Sequence, residues 1–325
     1  MKTFALAALA GVSSAAVMTQ MDYEFFKYIT KFEKFYETVE EFAMRKEMYL
    51  ATAAKIEALN AQQASFTAAH NHMSDWTDEE YKSLLGFVLP EDYQEEEDKF
   101  TGFPNSSGKD WREVKDVLTD VKDQGQCGSC WAFSATESLE SAYVLAGNDQ
   151  VILAPQELVD CDRGLLTNHG CKGGMYYHAW KWEESNYAMK ESDYPYVSGT
   201  TKVHGDCAYD ESKGVVKTTG YKQVNADVDS IKAAVEQQPL SIAVMADNDA
   251  FRNYSSGVIT ADQCPGRQDH AIQLVGWGND GTQDYFIVRN SWATVWGDAG
   301  FAKLAADSAD EGTCGMNTFV FYPEV

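Results

Sequence analysis

No cysteine precedes residue 127, and seven follow, at 127, 130, 161, 171, 207, 264 and 314. A fold that uses covalent staples is therefore confined to the part of the chain after residue 126, and the first third is held by other means. The odd count leaves at least one thiol unpaired or paired outside the chain. Cys130 is the notable one, because Gln124-Gly125-Gln126-Cys127-Gly128-Ser129-Cys130-Trp131 runs from a loop of small residues into an apolar helix, expected from Cys130 to about Ala146. A thiol at a helix N-terminus faces unpaired N–H groups and the positive end of the macrodipole, and both favour the thiolate. Gln124 can bring an amide donor back toward that sulfur across a glycine turn. A nucleophile beside a donor suits attack on a carbonyl, where negative charge develops on oxygen.

A chain of 325 residues has room for more than one module. Its net charge of −24 excludes a nucleic-acid partner, since phosphates would repel it, and fits work at low pH. Residues 1–16 carry Lys2, an apolar run from Phe4 to Val12 and then Ser13-Ser14-Ala15-Ala16. This is the layout of a cleaved secretory signal, too short for a stable membrane anchor, and no later stretch is long and apolar enough to span a membrane. Entry to the secretory route permits disulfides.

Apolar residues at Phe25, Phe26, Ile29, Phe32 and Phe35 are spaced for one helix face, followed by a second helix from about Thr38 to Asn60. A third runs from Thr77 to Leu85, with Thr77 as N-cap and acidic residues in its first turn. Pro90 to Gly108 shows no periodicity and is dense in Glu, Asp, Ser and Gly; it is expected to be mobile, exposed and open to nicking. Helices follow at Pro155–Asp160, Gly173–Ser185 and Asp227–Gln237. Strand-like runs come later, at Leu240–Met245, Ala271–Trp277, Tyr285–Asn290, Gly300–Leu304 and Asn317–Phe321. Helices first and strands later predict an α+β fold of two lobes with a cleft between them.

A nucleophile needs a base. His70 and His72 belong to the first module, while His169, His178 and His204 sit in a cysteine loop, on a helix and in a polar turn. His270 follows Asp269 and opens an apolar strand, which would hold an imidazole in place. Asn290 ends another strand and can orient the imidazole, and Trp292 can shield their bond from water. Two other readings of Cys127-x-x-Cys130 are a redox pair and, with Cys161 and Cys171, a zinc cluster; neither calls for Gln124, His270 and Asn290.

Cys127-Gly128-Ser129-Cys130-Trp131 resembles the papain-type signature, Asp269-His270-Ala271 and Asn290-Ser291-Trp292 resemble the same family's histidine and asparagine motifs, and Lys109-Asp110-Trp111-Arg112 resembles its mature N-terminal strand. Glu41, Arg45, Ile56 and Asn60 fall on the interspersed propeptide motif of the cathepsin L type, with Tyr49 and Thr52 departing from it. Asn71-His72-Met73-Ser74-Asp75 resembles the second propeptide motif, with Ala69 and Met73 as departures. The chain thus resembles a papain-like cysteine protease precursor of the cathepsin L type. The resemblance implies a papain-like two-lobe fold behind a helical propeptide: signal 1–16, inhibitory propeptide 17–105 and peptidase 106–325, with the cut near Thr101–Ser107.

It further implies an endopeptidase, without an insertion to occlude the cleft, that acts on polypeptides through Cys130, His270, Asn290 and Gln124 without metal or other cofactor. The implied disulfides are Cys127–Cys171, Cys161–Cys207 and Cys264–Cys314. Gly173 and Gly174 would form a cleft wall, and Met175, Tyr176, Ala243, Ala271 and Phe319 a pocket, with Asp269 beside them. Phe319 at its floor would shorten it and favour Leu, Val or Met over Arg. The propeptide would be an intramolecular inhibitor, cystatin-like proteins would be further partners, and the destination would be lysosomal, vacuolar or extracellular. The rival reading is a catalytically silent relative that binds peptides or inhibits proteases. Ala293, where the family has Gly, would disfavour a strained backbone, and Gln273 needs a partner if buried. Asn105 and Asn253 head glycosylation sequons.

Overall fold

The computed structural model describes residues 18–62, 65–91, 93–164, 168–307 and 311–325; the expected signal segment 1–16 lies outside them. Helix α1 (Gln20–Lys31) opens on a capping box in which Thr19 and Asp22 satisfy each other's backbone N–H groups. It packs on α2 (Val39–Gln62) through the buried rings of Phe25, Tyr28 and Tyr49, joined by Phe32, Tyr36 and Phe42. Phe35 does not share that face. The helix stops at Lys31, so Phe35 falls in the connecting turn, 83% exposed. Asn60 accepts from Ala68 N–H and donates to Ala68 O, tying the end of α2 to the short strand β1 (Phe66–Ala68). Helix α3 (Asp78–Lys82) has the expected Thr77 cap, in a box with Glu80, and ends sooner than predicted.

The acidic segment that follows is exposed at residues 94–98 but is not loose. Gln223 Oε1 accepts from Glu96 N–H at 2.8 Å, and Phe100 forms a parallel bridge with Val224. A disordered-looking composition is thus overridden by docking on a neighbouring strand.

Beyond it come β2 (Lys109–Asp110), α4 (Cys130–Leu145), α5 (Pro155–Cys161), α6 (Tyr176–Glu183), β3 (Ala188–Met189), α7 (Ser198–Thr201), β4 (Gly214–Val216), β5 (Gly220–Gln223) and α8 (Val228–Gln237). The last part holds β6 (Leu240–Val244), α9 (Asp249–Arg252), β7 (Tyr254–Gly257), β8 (His270–Asn279), β9 (Asp284–Arg289), β10 (Phe301–Ala305) and β11 (Val320–Glu324). Helix α6 starts three residues later than predicted because Gly173, at φ 110°, cannot continue a helix. The last strand also starts later than predicted, after a 3-10 turn at Thr313–Gly315. The short strands β1, β5 and β7 were not predicted.

The main sheet runs β10-β9-β8-β6-β11-β5, antiparallel, with β2 also on β8. Helix α4 lies against it, and every residue from Cys130 to Ala142 is buried. A helix buried all round must satisfy its polar groups internally. Ser134 Oγ donates to Ile272 O, Ser138 Oγ meets Ser241 Oγ, and Glu140 takes Thr119 Oγ and the Leu153 N–H. Gln273, as required, is buried with Nε2 on Ser141 Oγ at 3.3 Å. The disulfides Cys127–Cys171, Cys161–Cys207 and Cys264–Cys314 are formed and Cys130 is free, so Cys127 and Cys130 are not a redox pair.

Both modules are acidic, so contact rather than net charge must join them. Strand β1 pairs antiparallel with β7, and Phe66, Met73, Tyr81 and Leu84 enter the same core as Phe251, Trp292 and Trp296. Local ion pairs Lys82–Asp247 and Arg252–Asp78, at 3.1 and 3.2 Å, flank that contact.

Candidate active site

Cys130 is the first residue of α4 and is fully buried. Its sulfur accepts the Ala271 N–H at 3.4 Å, which brings it to the start of β8, where His270 pairs with Val244 of β6. His270 Nε2 lies 2.8 Å from Asn290 Oδ1. That oxygen also accepts the Ser291 N–H, so it is the amide carbonyl and Nε2 is the donor. Nδ1 is left without its hydrogen and without a hydrogen-bond partner. Trp292 stacks on the imidazole at 4.6 Å and closes the Asn290 side to water.

Burial pushes the Cys130 thiol up to about 12, against hydrogen bonds from the backbones of Ala271, Gly86 and Trp131. Burial also lowers His270 to about 4, with the Asn290 bond opposing it. In this closed state burial keeps thiol and imidazole both neutral, whereas the helix N-terminus alone would favour the thiolate.

The burial comes from the first module, through a feature that sequence reasoning missed. Leu84-Leu85-Gly86-Phe87-Val88-Leu89 is a short apolar run, its only signal, and it lies across the site. Gln124 Nε2 donates to Leu84 O at 2.9 Å and to Cys127 O at 2.8 Å, so a peptide carbonyl already occupies the Gln124 donor. Gly174 N–H donates to Gly86 O at 2.9 Å, Val88 N–H to Gly174 O at 3.0 Å and Phe87 N–H to Asp269 O at 2.9 Å. A Cβ at Gly174 would meet Asn168 Oδ1 at 2.3 Å. Asn168, also missed, accepts the Met175 N–H at 2.6 Å and so braces the wall from behind; nothing in its loop context marks it.

Met175, Tyr176, Ala243, Ala271 and Phe319 share one apolar cluster with Phe87. The Phe87 ring sits 6.1 Å from Tyr176 and 5.4 Å from Phe319, and the Tyr93 ring also lies 5.4 Å from Phe319, edge to face. The Asp269 carboxylate accepts the Ala246 and Asp247 N–H groups, and burial raises it to about 6.

His169, His178 and His204 lie elsewhere: His178 against Tyr177 and His204 on Arg163. Asn105 is exposed, but Asn253 is buried and its amide donates to Asp249 O. A glycan at Asn253 does not fit this packing, which corrects that expectation. Ala293 does adopt the positive φ, 57°, that favours glycine. Among the described residues no group of His, Cys, Asp and Glu is arranged to hold a metal, and no helix is long and apolar enough to cross a membrane.

Residues 105–324 match the papain family of cysteine proteases, and residues 25–81 match the cathepsin propeptide inhibitor domain. Digestive cysteine proteinase 2 of Homarus americanus is 35% identical over 332 residues, covering 98% of each chain. Chymopapain of Carica papaya is 34% identical over 310 residues, covering 92% of this chain and 85% of its own. The structure of digestive procathepsin L 3 from Tenebrio molitor larval midgut superposes with a TM-score of 0.83 at 28% identity, over 94% of this chain and all (100%) of the other. The chain belongs to the papain family of cysteine proteases, as a cysteine-type endopeptidase preceded by its own inhibitory propeptide.

Proposed function

We propose that Cys130 is the nucleophile, His270 the general base and acid, Asn290 the residue that orients it, and Gln124 with the Cys130 N–H the oxyanion donors. The observation that carries this reading is the Gln124 amide on the Leu84 carbonyl, beside a thiol that takes a hydrogen bond from the Ala271 N–H next to His270. A peptide backbone already lies where a substrate would be polarised. When the segment leaves and water enters, the burial that keeps both groups neutral is relieved, and the thiol proton can pass to His270 Nδ1. The thiolate then attacks the scissile carbonyl carbon. Each oxyanion donor is worth about 3–4 kcal/mol in a comparable site. Nδ1–H gives its proton to the leaving amine, and water, deprotonated by the same nitrogen, hydrolyses the thioester.

The domain limits that fit this reading are a signal at 1–16, then propeptide 17–105 and peptidase 106–325 as structural units, the severed bond itself lying in the Thr101–Ser107 stretch at their junction. The packing of Phe87 against Phe319 supports an apolar pocket for the second residue before the scissile bond. It also widens the expected Leu, Val or Met to an aromatic ring. The three disulfides fit an oxidising compartment; within it a lysosome, vacuole or the exterior is proposed, with cystatin-like inhibitors as partners there.

The test is to bring the precursor and its Cys130→Ala form to about pH 5 with a mild thiol reductant. Hydrolysis of a peptidyl amide with Leu or Phe at that second position is followed together with chain length. Loss of the first module with rising activity, both absent in the variant, is expected. Activity that survives Cys130→Ala would overturn the assignment.

A further inference from the structure

We propose that Glu236 is a positioning residue for maturation, holding the interdomain junction so that the chain is cut before Asn105 and not after it. This rests on the reading that the precursor is severed between its modules.

Glu236 stands in the last turn of α8, where a carboxylate faces the negative end of the helix dipole and is disfavoured. There it meets three donors from two successive residues. Oε2 accepts the Asn105 N–H at 2.8 Å, and Oε1 accepts the Ser106 N–H at 3.1 Å and the Ser106 hydroxyl at 2.6 Å. Bonds of this charge-assisted kind are the strong ones. Burial pushes the Glu236 carboxyl up, but the Ser106 and Asn105 bonds outweigh it and hold it below the usual carboxylate range, so the clamp stays charged in mild acid.

The chain on both sides is also fastened. Upstream, Phe100 N–H donates to Gln223 O and Phe100 O accepts from Asn225 N–H, at 2.8 and 2.9 Å. Downstream, β2 is paired with β8. Between these fixed points the backbone of Thr101–Pro104 is held, among the described residues, by one long bond, Gly102 N–H to Ser230 Oγ at 3.3 Å. Phe103 stands 77% exposed.

The cleft of this enzyme binds an extended backbone through its amides, as Gly174 binds Gly86 and Val88. A bond can be cut only if the N–H groups around it are free to enter that cleft. Those of Thr101, Gly102 and Phe103 are nearly free and Pro104 has none, whereas those of Asn105 and Ser106 are committed to Glu236. After cleavage the same carboxylate keeps the new terminus against α8.

The test uses Cys130→Ala precursor, which cannot cut itself, as substrate for a trace of matured wild-type enzyme. It is made with Glu236, with Glu236→Ala and with Glu236→Asp, and the new N-termini are read by intact mass. With Glu236 the termini should fall at residues 101–104. Glu236→Ala should add termini at Asn105, Ser106 and beyond, those bonds being cut about tenfold faster or more, the factor set by one lost charge-assisted bond. Glu236→Asp should restore much of the original pattern. Ser106→Ala, which leaves the helix untouched, should shift the cuts the same way by less, so unfolding of α8 cannot imitate the result. Identical termini in the Glu236 and Glu236→Ala forms would overturn the clamp. No cut between the modules in any form would sink the precursor reading and the clamp with it.

Discussion

The module before residue 91 and the module after residue 108 are fastened by different kinds of bond. The first contains no cysteine. Its aromatic rings stack around Phe25, and buried Asp75 accepts the hydroxyls of Tyr28 and Tyr36 and pairs with Lys34 at 2.9 Å. His70 stacks on Tyr49, and both His70 and His72 keep a buried Nδ1 without a partner. The second module is closed by disulfides spanning 44, 46 and 50 residues and is built on a helix buried on every side. What must leave is held by groups that protons can unfasten. What must persist among proteases is held covalently.

Asp75→Ala should break this comparison most sharply. It strands Lys34 and two phenols, and breaking a buried pair costs about 3–5 kcal/mol. In the Cys130→Ala precursor, limited proteolysis should then open residues 18–91 while the thermal transition of the peptidase barely moves. Equal loss in both would mean that the modules are one cooperative unit. The opposite experiment is Cys264→Ser with Cys314→Ser, expected to cost about 2–4 kcal/mol through the unfolded chain. That loss should show in urea unfolding of the peptidase, and protection of residues 18–91 should survive under native conditions.

Acid sharpens the contrast further. Burial lowers both His70 and His72 to about 4, with Lys31 adding to the effect at His70 and Lys34 at His72; Asp123 and Asp75 oppose it at His72. An imidazole with a folded pKa below its ordinary 6.5 takes up its proton more readily when the fold opens. The docked propeptide therefore has its full stability above about pH 6.5 and loses it as pH falls toward about 4. Glu80 acts in the same sense over a lower pH range. Burial raises it, yet its bonds from Arg45 and Thr77 leave it below the usual carboxylate range, so its contribution is lost only in stronger acid. The histidines act first. Together they remove about 2–4 kcal/mol at pH 5, the lower figure discounting the partly exposed His70 fully for screening. His70→Phe with His72→Gln should move the midpoint of self-activation down by about one pH unit. An unmoved midpoint would assign the trigger to carboxylates.

The two modules also differ in how much of them the sequence discloses. Cys130, His270 and Asn290 sit at the ends of long apolar elements, where period and local motif agree, and the structure brings them together. The Thr77 cap was legible for the same local reason. The inhibitory segment was not. Leu84–Leu89 pairs with a glycine far along the chain, and a run of six residues has no period to betray its partner. Strands β1 and β7 are short and make sense only as each other's complement. Asn168 works through a backbone amide seven residues away, a role that composition does not mark.

The smallest expected effect tests whether the catalytic loop carries strain that the rest of the peptidase does not. Ala293 follows Trp292 at φ 57°, its N–H donating to Lys122 O at 3.0 Å, so the loop is anchored and the residue cannot relax. A non-glycine residue in the left-handed region costs about 1–2 kcal/mol. Glycine removes that cost but brings about 0.5–1 kcal/mol of extra chain entropy. Ala293→Gly should therefore stabilise the Cys130→Ala precursor by somewhat less than about 1 kcal/mol. That gain is readable as a raised melting temperature of the peptidase transition. In the active enzyme kcat/KM should stay unchanged, because the Trp292 ring and the Asn290–His270 bond are fixed by their own contacts. A fall in stability would mean that the Ala293 methyl group makes a packing contact worth more than the strain. A fall in kcat/KM with stability raised would mean that the alanine keeps Trp292 over the imidazole, making the strain part of the catalytic arrangement.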